Sequence, residues 1–238
     1  MTILIIVRPI RSFMLIMLMS IVGFAQSTPQ LRHLAYSTNT VPRIAAPTIG
    51  VFGDPWAVNS SGQLCLAVST HLEELRSDGT LVFDKTLSSA PSSLAIDSQG
   101  NCYALITPAK GTGVLFTVTK FDSTGNALLT SSVTGTTGVS AFFTLVTAVV
   151  DSAGNVWAGG TTNINDAQLV NPIQNGLMGS VSSFIAKFDS SLKLVFSTYL
   201  GGTVDILGNS AETFTFDLTV DSSGNAYLGG GKWFGVGL

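Results

Sequence analysis

Charge is scarce in this 238-residue chain. Asp, Glu, Lys and Arg together make up 11% of it, against roughly 25% in ordinary soluble domains. The formal net charge is −3, and no long run of either sign occurs. Such a chain lacks the basic stripe on which nucleic-acid binding depends. Histidine is rarer still, with only His33 and His71. Neither belongs to a recognisable nucleophile–base pattern, so both read as surface or structural residues. Cysteine is limited to Cys65 and Cys102. Long apolar runs are confined to the first 25 residues, so nothing later in the chain spans a bilayer as a helix.

What the chain does contain begins with a leader. Arg8 and Arg11 form a positive start, and Phe13 to Phe24 is an apolar run of signal-peptide length. Gly23 and Ala25 supply small residues at a peptidase site, so cleavage is expected before Gln26. A retained anchor is the competing reading. It needs roughly 20 uninterrupted apolar residues, and Arg8, Pro9 and Arg11 would interrupt it. The expected organisation is a signal peptide at 1–25, an N-terminal segment at 26–54 and repeats from 55 to 238. The expected location is secreted or cell surface.

Ser, Thr, Asn and 25 Gly fill the space that charge leaves. They recur in a pattern: an apolar run, Asp-Ser-x-Gly-Asn, then another apolar run. The pattern is centred on Asp97 to Asn101, Asp151 to Asn155 and Asp221 to Asn225. A weaker copy lies at Asn59 to Gln63. Asp or Asn opens such a turn by accepting a backbone bond two residues on. Gly takes the left-handed position, and the flanking runs suit strands. A related hairpin follows each of the first three, around Ser77 to Thr80, Asp122 to Asn126 and Asp189 to Lys193. In the last, Leu192 replaces the glycine, which implies a different or strained turn.

Two hairpins per unit make four antiparallel strands per unit, the blade of a β-propeller. The turn glycines Gly62, Gly100, Gly154 and Gly224 lie 38, 54 and 70 residues apart. Uneven spacing suits blades with long surface connections better than a strict solenoid. The fold class is therefore all-β: three complete four-stranded units plus half a unit. Val181 to Asp189, followed by Val195-Phe196-Ser197-Thr198-Tyr199-Leu200-Gly201-Gly202, resembles the bacterial SBBP repeat family (seven-bladed β-propeller repeats). The stretch from Asp221 to Gly230 is similar to its next module, and the earlier units look equally like NHL repeats. The resemblance implies a propeller fold and an extracytoplasmic setting. It carries no catalytic motif.

Half a unit poses a closure problem. One reading makes the chain a fragment of a larger repeat protein, with further blades beyond Leu238. The other closes the fourth blade with residues 30–52, using Leu31 to Ser37 and Ile44 to Phe52 as strands. Pro42 and Pro47 suit edge positions only.

No catalytic, cofactor-binding or metal-binding residue is assigned. The turn aspartates offer one carboxylate each and no distal Glu, too little for a calcium loop. Weak ion binding at Asp166 or Asp205 stays open. Aligned on the turn glycine, Cys65 shares a column with Tyr103, Trp157 and Tyr227, while Cys102 falls one place earlier. The two thiols then face each other from adjacent blades. Sheet stacking of roughly 10 Å exceeds the disulfide Cα separation of about 5.5–6 Å. Two buried, unbridged cysteines are therefore expected. The aromatic column reads as interblade core rather than a ligand platform. Asn59-Ser60-Ser61 matches a glycosylation acceptor within a turn.

These readings favour a non-catalytic, exported binding or cell-surface module. Its ligand is an unidentified protein or carbohydrate, held by blade-connecting loops, with Thr161 to Ser180 the favoured contact loop. The alternatives are an extracytoplasmic lyase or hydrolase, and a fragment of a larger repeat protein.

Overall fold

The computed structural model describes residues 55–136, 141–202 and 211–234. The leader, its cleavage site, His33, the strands expected within 30–52 and Asp205 lie outside the described residues.

Fourteen strands form three four-stranded antiparallel sheets and one hairpin. The first blade is β1 (Trp56–Val58), β2 (Leu64–Val68), β3 (His71–Leu75) and β4 (Leu81–Thr86). The second is β5 (Ser93–Ile96), β6 (Cys102–Ile106), β7 (Val114–Phe121) and β8 (Ala127–Thr134). The third is β9 (Phe143–Val150), β10 (Val156–Thr162), β11 (Ser182–Phe188) and β12 (Leu194–Leu200). The half blade is β13 (Ala211–Val220) with β14 (Ala226–Phe234). Strands pair in chain order within each sheet. The first strands of successive blades neighbour one another, so each blade contributes its first strand to one common side.

Blades stack face to face, which explains the sequence pattern. A strand between two blades is covered on both faces and need not alternate polar with apolar. Every residue of β10, Val-Trp-Ala-Gly-Gly-Thr-Thr, is buried. Outermost strands behave differently, and β8 is exposed over its first four residues.

The core is divided among the seams. Tyr103, Phe116, Phe143, Phe184, Phe188 and Tyr199 fill the seam between blades two and three. Their rings pack at centroid distances of 5.3 to 6.1 Å. Each such buried side chain contributes about 1.5–3 kcal/mol. The first seam is smaller, built on Leu72, Phe83, Leu94 and Phe121 around the two cysteines. Trp157, Ile185 and Leu218 form the third. There the half blade is also stitched by polar groups. Thr215 N–H donates to Thr161 Oγ1 at 2.9 Å, and Thr215 Oγ1 donates to the Gly160 carbonyl at 2.7 Å.

The cysteine expectation is overturned. Cys65 and Cys102 form a disulfide across the first seam, with Cα atoms 6.1 Å apart. The facing geometry held, but the average sheet spacing misled. β1 and β2 lie close against β5 at this seam, and small residues such as Ala67 and Ala104 line it. Where small residues flank the two cysteines, the backbones approach below the usual sheet spacing.

The Leu192 turn takes the strained of the two expected forms. Its backbone repeats the conformation of the glycine turns, with φ of +59° where Gly125 and Gly154 have +82° and +80°. Leu192 N–H donates to the Asp189 carbonyl at 2.8 Å, the same closing bond as in the others. A non-glycine residue here costs about 1–2 kcal/mol. Leu192 is 3% exposed and packs into the large central core, which offsets that cost.

Candidate functional site at the loop end

Strand direction sorts the connections onto two ends. Each blade's first-to-second and third-to-fourth turns lie at one end. The second-to-third loops and the links to the next blade lie at the other. All the Asp/Asn-to-Gly turns fall at the first end, and the long irregular segments fall at the second.

The turn end is a set of closed latches. Asp97 Oδ1 accepts from the N–H groups of Gln99 and Asn101 at 3.0 and 2.8 Å. Its Oδ2 accepts from Asn101 Nδ2 at 2.7 Å and from the Tyr103 hydroxyl at 3.0 Å. Asp151 does the same with Ala153, Asn155 and Trp157 Nε1. Asp221 repeats it with Ser223, Asn225 and Tyr227. In two blades a third-strand lysine completes the set. Lys120 Nζ lies 3.7 Å from Asp97 and 5.3 Å from the Tyr103 ring centre. Lys187 Nζ lies 3.9 Å from Asp151 and 4.6 Å from the Trp157 ring centre.

These contacts set the local acidities. Burial raises the Asp151 pKa, but the bonds from Asn155, Trp157 and Ala153 outweigh it, so the net shift is downward. Hydrogen bonds from Asn225 and Tyr227 hold Asp221 down at about 2. Burial, then the Asp97 charge, pushes the Tyr103 hydroxyl up. The carboxylate oxygens are committed to their own turns, so these are structural caps.

The aromatic column behaves as core in two of its three places. Tyr103 and Trp157 are buried at seams, whereas Tyr227 is 56% exposed. The bond from column residue to turn aspartate, six residues back, was not read from the sequence. Its signal was there: three aromatics with a polar tip at one offset from Asp.

Blade one departs from the latch. Asn59 stands for Asp, Cys65 for the aromatic and Glu74 for the lysine, since Cys65 pairs with Glu74 as Tyr103 pairs with Lys120. Glu74 is fully buried, and Gln63 Nε2 donates to its Oε1 at 3.0 Å. Its Oε2 is buried with no hydrogen-bond partner. Burial raises the Glu74 pKa, partly offset by Gln63 and Arg76, while Asp97 adds to the rise. Here, at the column position where the other blades have the latch aromatic, Cys65 is instead bonded covalently to blade two.

His71 begins β3 as expected, but it has a partner. Its Nδ1 lies 2.8 Å from Asp84 Oδ1 on β4. His71 pairs with Thr86, so Asp84 is its diagonal neighbour two residues along β4 on the same face, a proximity invisible until the strands are aligned.

The loop end carries the features a ligand could meet. Thr161 and Thr162 belong to β10, so the connection itself starts at residue 163. Much of it is tied down as a strap along the outer edge of blade three. Val170 bridges Ser197, and Tyr199 Oη accepts from Ala167 N–H and donates to the Ile164 carbonyl. Thr198 Oγ1 accepts from the N–H groups of Ile173 and Gln174. The strap also reaches blade two. Gln168 N–H donates to the Thr134 carbonyl at 2.8 Å, and the Asp166 carboxylate accepts from Thr136 N–H and its hydroxyl. Those bonds lower the Asp166 pKa and occupy its oxygens.

Two depressions adjoin at Ala141 beside the strap. A polar one of about 390 Å³ is lined by Thr136, Asn163, Ile164, Asn165 and Asp166. An apolar one of about 270 Å³ lies among Val114, Leu115, Phe142 and Phe143, with Thr107 to Lys110 at its rim. Ile173, 76% exposed, stands further along the strap. Among the described residues, no three His, Cys, Asp or Glu side chains converge as metal ligands.

Two solved structures are similar in part. One is a protein of unknown function from Bacteroides caccae, 13% identical, with a TM-score of 0.36 over 73% of this chain and 69% of that one. The other is regucalcin, a calcium-binding protein from Agrobacterium tumefaciens. It is 11% identical, with a TM-score of 0.31 over 68% of this chain and 53% of that one. No curated protein matches the chain. A family model described as a β-propeller repeat, SBBP, matches residues 195–230. That span runs from β12 into β14, so the sequence repeat straddles two blades and starts on an outer strand. The likeness to the SBBP β-propeller repeat is thus carried by residues 195–230.

Proposed function

We propose that the chain is an exported, non-catalytic binding module that takes a protein or carbohydrate ligand at its loop end. One observation carries the reading. The topology puts the recurring Asp/Asn turns at one end, and the long connections with both depressions at the other. Function on repeat scaffolds resides in such connections, held by a rigid frame. The leader, basic and then apolar, supports export, and a disulfide persists in oxidising compartments. The strap's own bonds narrow the contact region within 161–180. Residues 164 to 170 serve mainly to hold blades two and three, leaving Asn165, Ile173 and the depressions for a ligand.

The test is binding of the labelled protein to bacterial envelopes and to insoluble cellulose, chitin and peptidoglycan. Asn165→Ala with Ile173→Asp is expected to abolish whatever binding is found. Ser98→Ala and Ser123→Ala at the turn end leave it intact. Binding that survives the first pair, or is lost with the second, refutes the assignment. Export is tested separately by fusing residues 1–27 to a reporter active only outside the cytoplasm.

A further inference from the structure

The outer strands of the three blades are protected unequally. An unpaired outer strand offers a row of free backbone N–H and C=O groups to any other strand. On β4, Asp84 and Lys85 place charge along the edge. On β12, the strap covers it, through the Val170–Ser197 bridge and Asn171 Nδ2 to the Val195 carbonyl. The hairpin strand β14 carries Lys232 and three consecutive glycines, Gly229 to Gly231, which specify a pairing register poorly. β8 has none of these devices. Its eight residues, Ala-Leu-Leu-Thr-Ser-Ser-Val-Thr, contain no charge. Leu128 and Leu129 are 52% and 40% exposed. Among the described residues, its outer edge is met only at the far end, where Gln168 bonds Thr134.

We propose that β8 is the contact strand of a homodimer, pairing antiparallel with β8 of a second copy. The register follows from the backbone. Thr134 turns its N–H and C=O outward, toward Gln168. β8 pairs without a shift from Leu129 to Val133, and outward groups alternate along a strand. The open outward pairs are therefore those of Ser132 and Thr130. A two-fold axis through Ser131 sets Thr130 of one copy against Ser132 of the other. Both are outward residues, so each such pair exchanges two hydrogen bonds. Leu129 then lies opposite Val133, and Ser131 opposite itself. No like charges oppose each other anywhere along the strand. Unlike β4 and β14, which carry charged residues, β8 is neutral along its whole length, and that neutral, self-matching row is why a second copy is the occupant. The two second blades merge into one eight-stranded sheet. The loop ends stay uncovered, so dimer formation does not depend on the ligand site.

The experiment is sedimentation velocity of the mature chain over a roughly hundredfold concentration range, with hydrogen exchange at low and high concentration. Wild type is expected to shift reversibly from monomer to dimer. The amides of Thr130 and Ser132 gain protection only at high concentration. Thr130→Pro removes one outward N–H without touching the bond ladder to β7. It is expected to weaken association about tenfold or more. Ser131→Lys sets two ammonium groups against each other at the axis and is expected to leave only monomer. Thermal melts of both variants matching wild type at low concentration confirm that each folds. Wild type that stays monomeric throughout overturns the proposal. So does a dimer that survives both substitutions, or protection of Thr130 and Ser132 that is independent of concentration.

Discussion

Replacing Glu74 with glutamine is expected to stabilise the protein at neutral pH and to remove a component of its pH dependence. Glu74 is fully buried in the seam between blades one and two. Its Oε1 has one partner, Gln63, and its Oε2 has none. Burial raises its pKa above 4.5, with Asp97 adding to the rise and Gln63 and Arg76 opposing it. The sign follows from linkage. The folded state favours the protonated form more than the unfolded state does. This group's stabilising contribution is therefore complete below about pH 4.5 and is lost as pH rises through the folded value. Above its folded pKa the seam holds a carboxylate with an unpaired oxygen, a condition that costs about 1–3 kcal/mol. Glutamine keeps the shape and the bond from Gln63 and removes the charge, but its Nε2 takes the unpartnered position, so only the charged part of that cost, about 1 kcal/mol, is recovered. For a domain of this size, that gain corresponds to about 2–4 °C in Tm for each kcal/mol. The assay is urea unfolding of wild type and Glu74→Gln from pH 4 to pH 8, with the disulfide intact. Taking the difference between the two proteins cancels Asp122, Asp151, Asp189 and Asp221, whose lowered pKa values impose the opposite slope. The difference should be near zero at pH 4 and grow in favour of the variant toward pH 8. A flat difference, or a variant less stable at pH 7, refutes the reasoning.

Three further outcomes are expected. Replacing both Cys65 and Cys102 with alanine should cost about 3–4 kcal/mol, set by the 37-residue separation the bridge closes; limited proteolysis should then release blade one before the rest. Leu192→Gly should relieve about 1–2 kcal/mol of backbone cost but lose about 2–5 kcal/mol of burial, so urea melts should show a net loss of about 1–3 kcal/mol. Trp157→Phe removes a buried bond to Asp151 and should cost about 1–3 kcal/mol, whereas Tyr227→Phe, at an exposed copy of the same latch, should leave the melt unchanged.

The sequence by itself determined the strand count, the pairing order and the turn positions. Those features are local. Asp, Gly and the apolar runs at each turn act within about ten residues of one another, so a short window holds their cause. The facing of Cys65 and Cys102 was also legible, because side-chain alternation is a local rule. The tertiary structure decided what depends on distance between blades. Whether the cysteines bond rests on how closely one seam packs, which turns on Ala67 and Ala104 from separate strands. Leu192 reads as a broken turn until its side chain is placed in the central core, where burial outweighs backbone cost. The contact loop read as free polar chain, but Ser197, Thr198 and Tyr199 on β12 hold it as a strap, and no sequence offset announces that. Glu74 reads as one acid among fourteen. Only the stacking of blade two over blade one strands its second oxygen in an interior where water would otherwise have satisfied it.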